Sequence, residues 1–321
     1  MNIPDAELII VGGGPAGLTA AQYGARANLS VLVIEQLAPG GQALLIDKLE
    51  NYPGAAPDMT GYDFAERLQR QAGEFGAQFL SDSVVSLEKN GDSFTITLGS
   101  GGTLKGPAVI IATGTKHRTL GIPGEAEFYG RGVSYCAACD GPFFKNKKIF
   151  VAGGGDAACD EAQYLSRLSS QVVLIHRRDR FRAQKAVAER TLKNPNITVR
   201  FNTRLLEIRG GRQVSSALLE QTDTGNRYEE DAAAVFIFIG AVPQTDFVSA
   251  LDTETGASIE RDENGYILTD QAMATGVPGL FAAGDVRASP FRQVVVAAGE
   301  GAAAAHSAAA YIAALKGEAY Q

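Results

Sequence analysis

Cys136-Ala137-Ala138-Cys139, followed at once by Asp140 and Gly141, is the grouping in this sequence best suited to chemistry. Two cysteines at this spacing can close a small disulfide ring, and the motif lowers thiol pKa toward the reactive range. The same spacing occurs at zinc sites, but a tetrahedral structural site needs four ligands. Cys159 is the only other cysteine, and neither a second CxxC nor an HxxxH is present. Redox exchange is the leading reading, with zinc and a purely structural disulfide as lesser alternatives. Asp140 stands where an acid/base could protonate a leaving thiolate, which would require burial to raise its pKa; a capping or turn aspartate is the plainer role.

The dithiol falls between two glycine-rich runs, Gly12-x-Gly14-x-x-Gly17 and Gly153-x-Gly155-x-x-Ala158. Each follows an apolar strand and opens a helix, the context in which such a run binds a dinucleotide. Gly12 and Gly153 permit the tight turn, Gly14 and Gly155 let a pyrophosphate approach backbone N–H groups, and Gly17 or Ala158 lets helix pack on strand. The diphosphate would sit at a helix N-terminus, where unpaired N–H groups and the helix dipole favour an anion. Glycine turns serving packing alone are the alternative. Eighteen positions after Gly17 comes Glu35, close to the spacing of an acid that accepts from a ribose hydroxyl. The same step from Ala158 reaches His176, and Arg177-Arg178-Asp179-Arg180-Phe181-Arg182 follows. A carboxylate there would repel a 2′-phosphate, whereas arginines bind one bidentately. The first site therefore suits FAD and the second suits NADPH over NADH, unless the arginines are only a solvated face. Together with the dithiol, they suggest a relay from nicotinamide to flavin to disulfide.

These side chains need elements to hold them. The pattern predicts a strand over 7–11, a turn at 12–14, a helix over 15–27 with Pro15 near its first position, and a strand over 30–34. A helix over about 61–75 follows, with several short strands including 93–98. A strand over 109–112 closes on Thr113-Gly114, and Gly121-Ile122-Pro123-Gly124 reads as a linker. The unit then repeats: strand 148–152, turn 153–155, helix 157–168, strand 171–175. Strands over 199–201, 215–221 and 234–239 suggest the same sheet plus a hairpin. A Pro-containing junction at 240–245 leads to a final segment with 279–286 and an Ala-rich helix. Cys159, in the helix after the second turn, reads as a small core residue.

The chain's 321 residues exceed what one core usually accommodates, so two domains are expected. It has 37 glycines, many in clusters where backbone must approach something closely. With 29 Lys+Arg against 36 Asp+Glu the net charge is −7, which disfavours general affinity for nucleic acid or anionic membrane. No secretory signal is visible, and Glu300 and His306 interrupt the longest apolar stretch at 294–315. A cytoplasmic enzyme is expected.

The residues resemble the low-molecular-weight, bacterial-type thioredoxin reductases of the class-II pyridine nucleotide-disulfide oxidoreductases. The stretches that carry the resemblance are Gly12-Gly13-Gly14-Pro15-Ala16-Gly17, Gly40-Gly41-Gln42, Glu50-Asn51-Tyr52-Pro53-Gly54 and Ala112-Thr113-Gly114. They continue through Gly130-Arg131-Gly132-Val133-Ser134, Cys136 to Gly141, Gly153-Gly154-Gly155-Asp156, His176-Arg177-Arg178-Asp179 and Ala283-Gly284-Asp285-Val286. The resemblance implies an α/β protein with two Rossmann-like (three-layer ββα) dinucleotide-binding domains. The NADPH domain, 117–244, would carry the CxxC and be inserted into an FAD domain formed by 1–116 and 245–321. It also implies a homodimer, a rotation of one domain against the other between half-reactions, and oxidised thioredoxin as substrate. Carried over by position, Cys139 would face the flavin, Cys136 would attack the substrate disulfide and Asp140 would be the acid/base. Gln42, Asn51, Arg292 and Gln293 would lie near the flavin and Asp285 near its ribityl or phosphate side. Arg131, Phe143 and Phe144 would help dock thioredoxin. Ala138 departs from the threonine common in the family. The alternatives are a flavin-dependent dithiol oxidase, or a reductase of another thioredoxin-like or peroxide-reducing partner.

Overall fold

The computed structural model describes residues 6–46, 48–249, 251 and 259–318. The chain forms two units, Met1–Lys116 with Val242–Gln321, and His117–Ala241. It passes between them through Thr115–His117 and Ala241–Pro243, two short strands that pair with each other.

The first unit is built on a five-stranded parallel sheet. Its order is Leu280–Ala282, Ala108–Ile111, Leu8–Val11, Val31–Glu35 and Gln78–Ser81. The central strands are continuous apolar runs because both faces of the sheet are covered. Leu8, Ile10, Val33 and Ile110 point into a cluster with the helices Pro15–Arg26 and Val294–Lys316. Ile9, Val11, Leu32, Ile34 and Ile111 point the other way, against Leu87, Phe94, Ile96 and Leu104. Those four belong to an antiparallel layer of Val84–Asn90, Ser93–Leu98 and Thr103–Gly106. The period-2 alternation of a strand thus produces the three layers directly. Each fully buried leucine or isoleucine contributes about 1.5–3 kcal/mol. The helix Gly61–Glu74 starts on a capping box between Thr60 and Asp63.

The second unit repeats this plan. Its parallel sheet runs Ile197–Arg200, Val172–Ile175, Ile149–Gly153, Ala234–Phe238 and Val133–Ser134. Ile149, Val151 and Leu174 meet Ala158, Cys159, Ala162 and Leu165 of the helix Asp156–Leu168. Phe150, Val173 and Ile175 meet Leu205, Ile208, Ala217 and Leu219 of the antiparallel layer Thr203–Gly210, Val214–Gln221 and Arg227–Asp231. Both parallel sheets therefore bear out the expected fold class.

Two sequence readings need correction. The 121–124 segment is no linker: it lies inside the second unit, where Leu120 and Gly121 donate to the buried Glu125 carboxylate. A Cβ on Gly124 would fall 1.9 Å from the Ile208 carbonyl oxygen, so this segment packs tightly against a strand. The strand expected at 199–201 runs over Ile197–Arg200, and the helix Lys185–Lys193 had no strong start signal in the sequence.

Candidate active site

The first glycine turn is shaped by contacts that exclude side chains. Gly12 has φ of +104°, and a Cβ there would lie 2.4 Å from the Ala112 carbonyl oxygen. A Cβ on Gly17 would lie 1.9 Å from the Gly12 oxygen. Gly14 is different: a Cβ would meet nothing within 4 Å. It precedes Pro15 at the helix start, where no side chain caps the helix and no acidic residue occupies the first turn. The unpaired N–H groups there are a ready anion site. Ala16 packs beside Gly284, whose Cβ would approach the Ala16 Cβ to 2.9 Å, and Gly301 of the C-terminal helix abuts the Ala16 carbonyl.

Glu35 ends the second strand beside this turn. Its carboxylate accepts from the N–H of Gly13 at 2.7 Å and of Leu37 at 2.9 Å. It lines a cavity of about 230 Å³ with Gly12, Asp82, Ser83, Val84, Thr113 and Gln244, among others. A larger but shallow hollow of about 370 Å³ beside Lys147 and Lys148 in the second unit contains neither a glycine turn nor a thiol. The Gly40–Gly41 loop closes on the turn through a 2.7 Å bond from Gly40 N–H to the Gly13 oxygen, and Gly41 lies against the Gly14 Cα. Gln42 donates to the Thr115 carbonyl at 2.5 Å, and Asn51 donates to Gln293 at 2.8 Å. Thr113 and Gln244 exchange reciprocal side-chain-to-carbonyl bonds of 2.7 Å, and Gly114 turns the chain with φ of +62°.

Sequence reasoning missed two residues here. Glu300 is buried, accepts from the Gly284 N–H at 2.8 Å and pairs with Arg287 at 2.5 Å, holding the turn that carries Asp285. A carboxylate inside an alanine helix was the available signal, since such a group needs a partner. Burial pushes the Asp285 carboxyl above its usual range, with Glu300 adding to the effect and Arg292 opposing it. The second missed residue is Tyr266, whose ring lies beneath the Arg292 guanidinium at 3.8 Å from the centroid.

In the second unit a Cβ on Gly153 would meet the Phe238 oxygen at 2.4 Å and the buried Ala158 at 2.5 Å, whereas at Gly155 it would meet nothing. Gly155 precedes an uncapped helix start, as Gly14 does. Asp156 in that first turn directs its carboxylate to Gln184 N–H at 2.7 Å and Nε2 at 3.2 Å, fastening the start of Lys185–Lys193. His176 occupies the place beside the middle glycine that Glu35 holds in the first unit: a Cβ on Gly154 would lie 2.2 Å from its ring. Only 5% of His176 is exposed, and its Nε2 has no protein partner. Burial lowers its pKa, so the ring is neutral at pH 7. Arg177, Arg178, Arg180 and Arg182 are exposed, and the Arg182 N–H returns to the Gly154 oxygen at 2.7 Å. The arginine loop is thus tied to the glycine turn.

Cys136 and Cys139 are joined as a disulfide, their Cα atoms 5.4 Å apart. Cys136 caps the short helix Ala137–Asp140, its sulfur accepting from the Cys139 N–H at 3.1 Å. Cys139 is exposed and Cys136 half-buried. Asp140 does not cap the turn that follows it. Gly141 presses the dithiol segment onto Leu165 and Leu168. Of the two phenylalanines, Phe143 is 74% exposed while Phe144 packs edge-on against Phe236. Arg131 donates to the carbonyls of Glu127 and Arg212 and lies over Phe128, so its guanidinium is partly engaged within its own unit. Cys159 is buried and free, and burial raises its thiol pKa to about 11. Among the described residues, no group of His, Cys, Asp or Glu could hold a metal ion, and no helix is long and apolar enough to cross a membrane.

Two glycine turns that leave room for a diphosphate, in a chain with a partly exposed CxxC disulfide, define a nucleotide-linked disulfide oxidoreductase. The chain belongs to the pyridine nucleotide-disulphide oxidoreductase family, which it matches over residues 6–301. It is similar to the thioredoxin reductase of Treponema pallidum, with 56% identity covering 96% of this chain and 97% of that one. Among solved structures it is similar to Lactococcus lactis thioredoxin reductase, with a TM-score of 0.91 at 38% identity, covering 97% of this chain and all of the other. The T. acidophilum thioredoxin reductase gives 0.88 at 33% identity, covering 96% of this chain and 99% of the other.

Proposed function

We propose that this protein is an NADPH-dependent thioredoxin reductase that uses FAD in its first unit and NADPH in its second, works as a cytoplasmic homodimer and reduces oxidised thioredoxin. The observation that carries the reading is the Cys136–Cys139 disulfide, half open to solvent on a unit that has its own nucleotide turn. The open cradles at Gly14 and Gly155 fit a diphosphate at each helix start. Glu35 retains acceptor capacity for a ribose hydroxyl, and the buried unpartnered Nε2 of His176 can serve a hydroxyl in the same way. Arg177, Arg178 and Arg182 would neutralise a 2′-phosphate.

Bound together, the two cofactors supply hydride transfer from nicotinamide to flavin and electrons onward to the disulfide. The chain's own contribution begins at the sulfurs. The Cys139 N–H aimed at Cys136 Sγ favours a thiolate there once the bond is reduced. That thiolate attacks the thioredoxin disulfide, forming a mixed disulfide and expelling the other thioredoxin sulfur, to which Asp140 would deliver a proton. Cys139 then attacks Cys136 Sγ, closing the Cys136–Cys139 bond and releasing the second thioredoxin sulfur. Phe143 offers an exposed apolar contact beside the dithiol for the incoming protein. Alternation of the half-reactions by rotation about the two linking strands belongs to the same proposal.

The test is anaerobic NADPH oxidation by the flavin-loaded protein, with and without thioredoxin and with NADH as control. Turnover that requires thioredoxin and prefers NADPH is the expected result. Bleaching of the flavin without turnover would remove the partner assignment, and no bleaching would remove the second nucleotide site.

A further inference from the structure

Tyr135, the residue before Cys136, is held by contacts that neither the glycine turn nor the disulfide requires. Its hydroxyl donates to Glu125 Oε1 at 2.7 Å. Its ring stacks on the His117 imidazole, centroids 3.7 Å and planes 16° apart, and Tyr129 adds a tilted ring contact at 5.8 Å. Glu125 is only 4% exposed and also accepts from the N–H groups of Leu120 at 2.8 Å and Gly121 at 2.6 Å. A buried carboxylate depends on such donors, so its position is well defined and it locates the tyrosine hydroxyl in turn. Burial, reinforced by this carboxylate, raises the phenol pKa, so the hydroxyl keeps the proton it donates. Cys136 itself is clamped by buried Ser134, whose Oγ accepts from the Cys136 N–H at 3.0 Å and donates to its carbonyl at 3.2 Å.

We propose that Tyr135, anchored by Glu125 and His117, is a positioning residue that presets Cys136 for ring closure with Cys139 and so tunes how readily the disulfide is reduced. The physical argument is pre-organisation: a thiol held near its partner has a higher effective concentration toward it, which favours disulfide over dithiol. His117 ends the strand Thr115–His117 by which the chain enters this unit, so the stack ties the dithiol to that strand. The inference rests on the redox reading of the dithiol, but not on the nucleotide or on the partner protein.

The flavin-loaded full chain is equilibrated anaerobically at a series of reduced-to-oxidised dithiothreitol ratios. In each exchange dithiothreitol closes to its cyclic disulfide, passing two electrons and two protons to Cys136 and Cys139. Acid quenching, alkylation and mass analysis of the peptide holding both cysteines count the dithiol fraction independently of the flavin. Tyr135→Phe, which keeps the ring and loses the bond to Glu125, should shift the equilibrium at least about threefold toward dithiol, and Tyr135→Leu further. His117→Leu should shift the parent protein but add little to Tyr135→Leu, because the stack is then already gone. Equilibria within about twofold of the parent for both tyrosine variants, with circular dichroism confirming the fold, would overturn the proposal. A fully additive His117→Leu effect would remove the stack from it. A parent disulfide that does not exchange with dithiothreitol at all would instead sink the redox reading beneath it.

Discussion

At the scale of single residues, the three cysteines are separated by environment. Cys136 and Cys139 lie at the surface of their unit with a backbone N–H directed at one sulfur, whereas Cys159 sits against Val151, Ala162 and Leu165 with its thiol pKa raised to about 11. After reduction at neutral pH, iodoacetamide should therefore label Cys136 and Cys139 and spare Cys159 until the protein is unfolded. Peptide mapping of the native protein checks this, and rapid native labelling of Cys159 would contradict its burial. The arginines make a second case. Arg177→Ala combined with Arg178→Ala should raise KM for NADPH at least about tenfold while changing that for NADH little, since charge-assisted bonds to a phosphate are each worth about 1.5–3 kcal/mol. Equal effects on the two nucleotides would mean that these side chains only solvate a surface.

At the scale of elements, each strand–turn–helix unit contains glycines of two physical kinds. Gly17 is needed by the fold, because a methyl group there would sit 1.9 Å from the Gly12 oxygen. Gly14 and Gly155 face open space, so a methyl group would collide only with a bound diphosphate. Gly14→Ala should thus fold with unchanged circular dichroism yet purify with little flavin, and Gly155→Ala should keep flavin while losing nucleotide-driven bleaching. Gly17→Ala should instead lower the melting temperature of the flavin-free protein. A Gly14→Ala protein that binds FAD as tightly as the parent would remove the diphosphate from that helix start.

At the scale of the whole molecule, each unit closes its own three layers, and the first depends on a pair that links helix to turn. Glu300 pairs with Arg287 and accepts from Gly284, all within that unit. Removing one partner of a buried pair strands the other charge, so Glu300→Ala should destabilise the protein by about 3–5 kcal/mol. Glu300→Gln, which retains an acceptor for the Gly284 N–H, should cost less. Urea denaturation of the three proteins measures this, and an unchanged midpoint for Glu300→Ala would show the pair to be dispensable. Flavin affinity should fall with it, because the turn held by Glu300 carries Asp285.

The sequence alone determined the parts whose causes are local. Short apolar runs placed the strands Leu8–Val11 and Val172–Ile175 within a residue or two, and the steric demands of Gly12, Gly17 and Gly153 follow from the turns they occupy. The dithiol was legible because two sulfurs three residues apart can react whatever surrounds them. Tertiary structure decided what depends on distant partners. The Pro/Gly run at 121–124 reads as a linker until Glu125 is seen to be buried beneath it, and the spacing that reaches His176 does not disclose that its ring is buried against Gly154. Glu300, Tyr266 and Tyr135 gave only weak signals, because the meaning of a buried polar or aromatic side chain lies in its partner. Those partners, Arg287, Arg292, Glu125 and His117, lie 10 to 26 positions away in sequence, and no hydrophobic period connects them. Backbone geometry and periodicity act over one turn of helix or two residues of strand, whereas a buried charge or ring finds its complement only when the layers close.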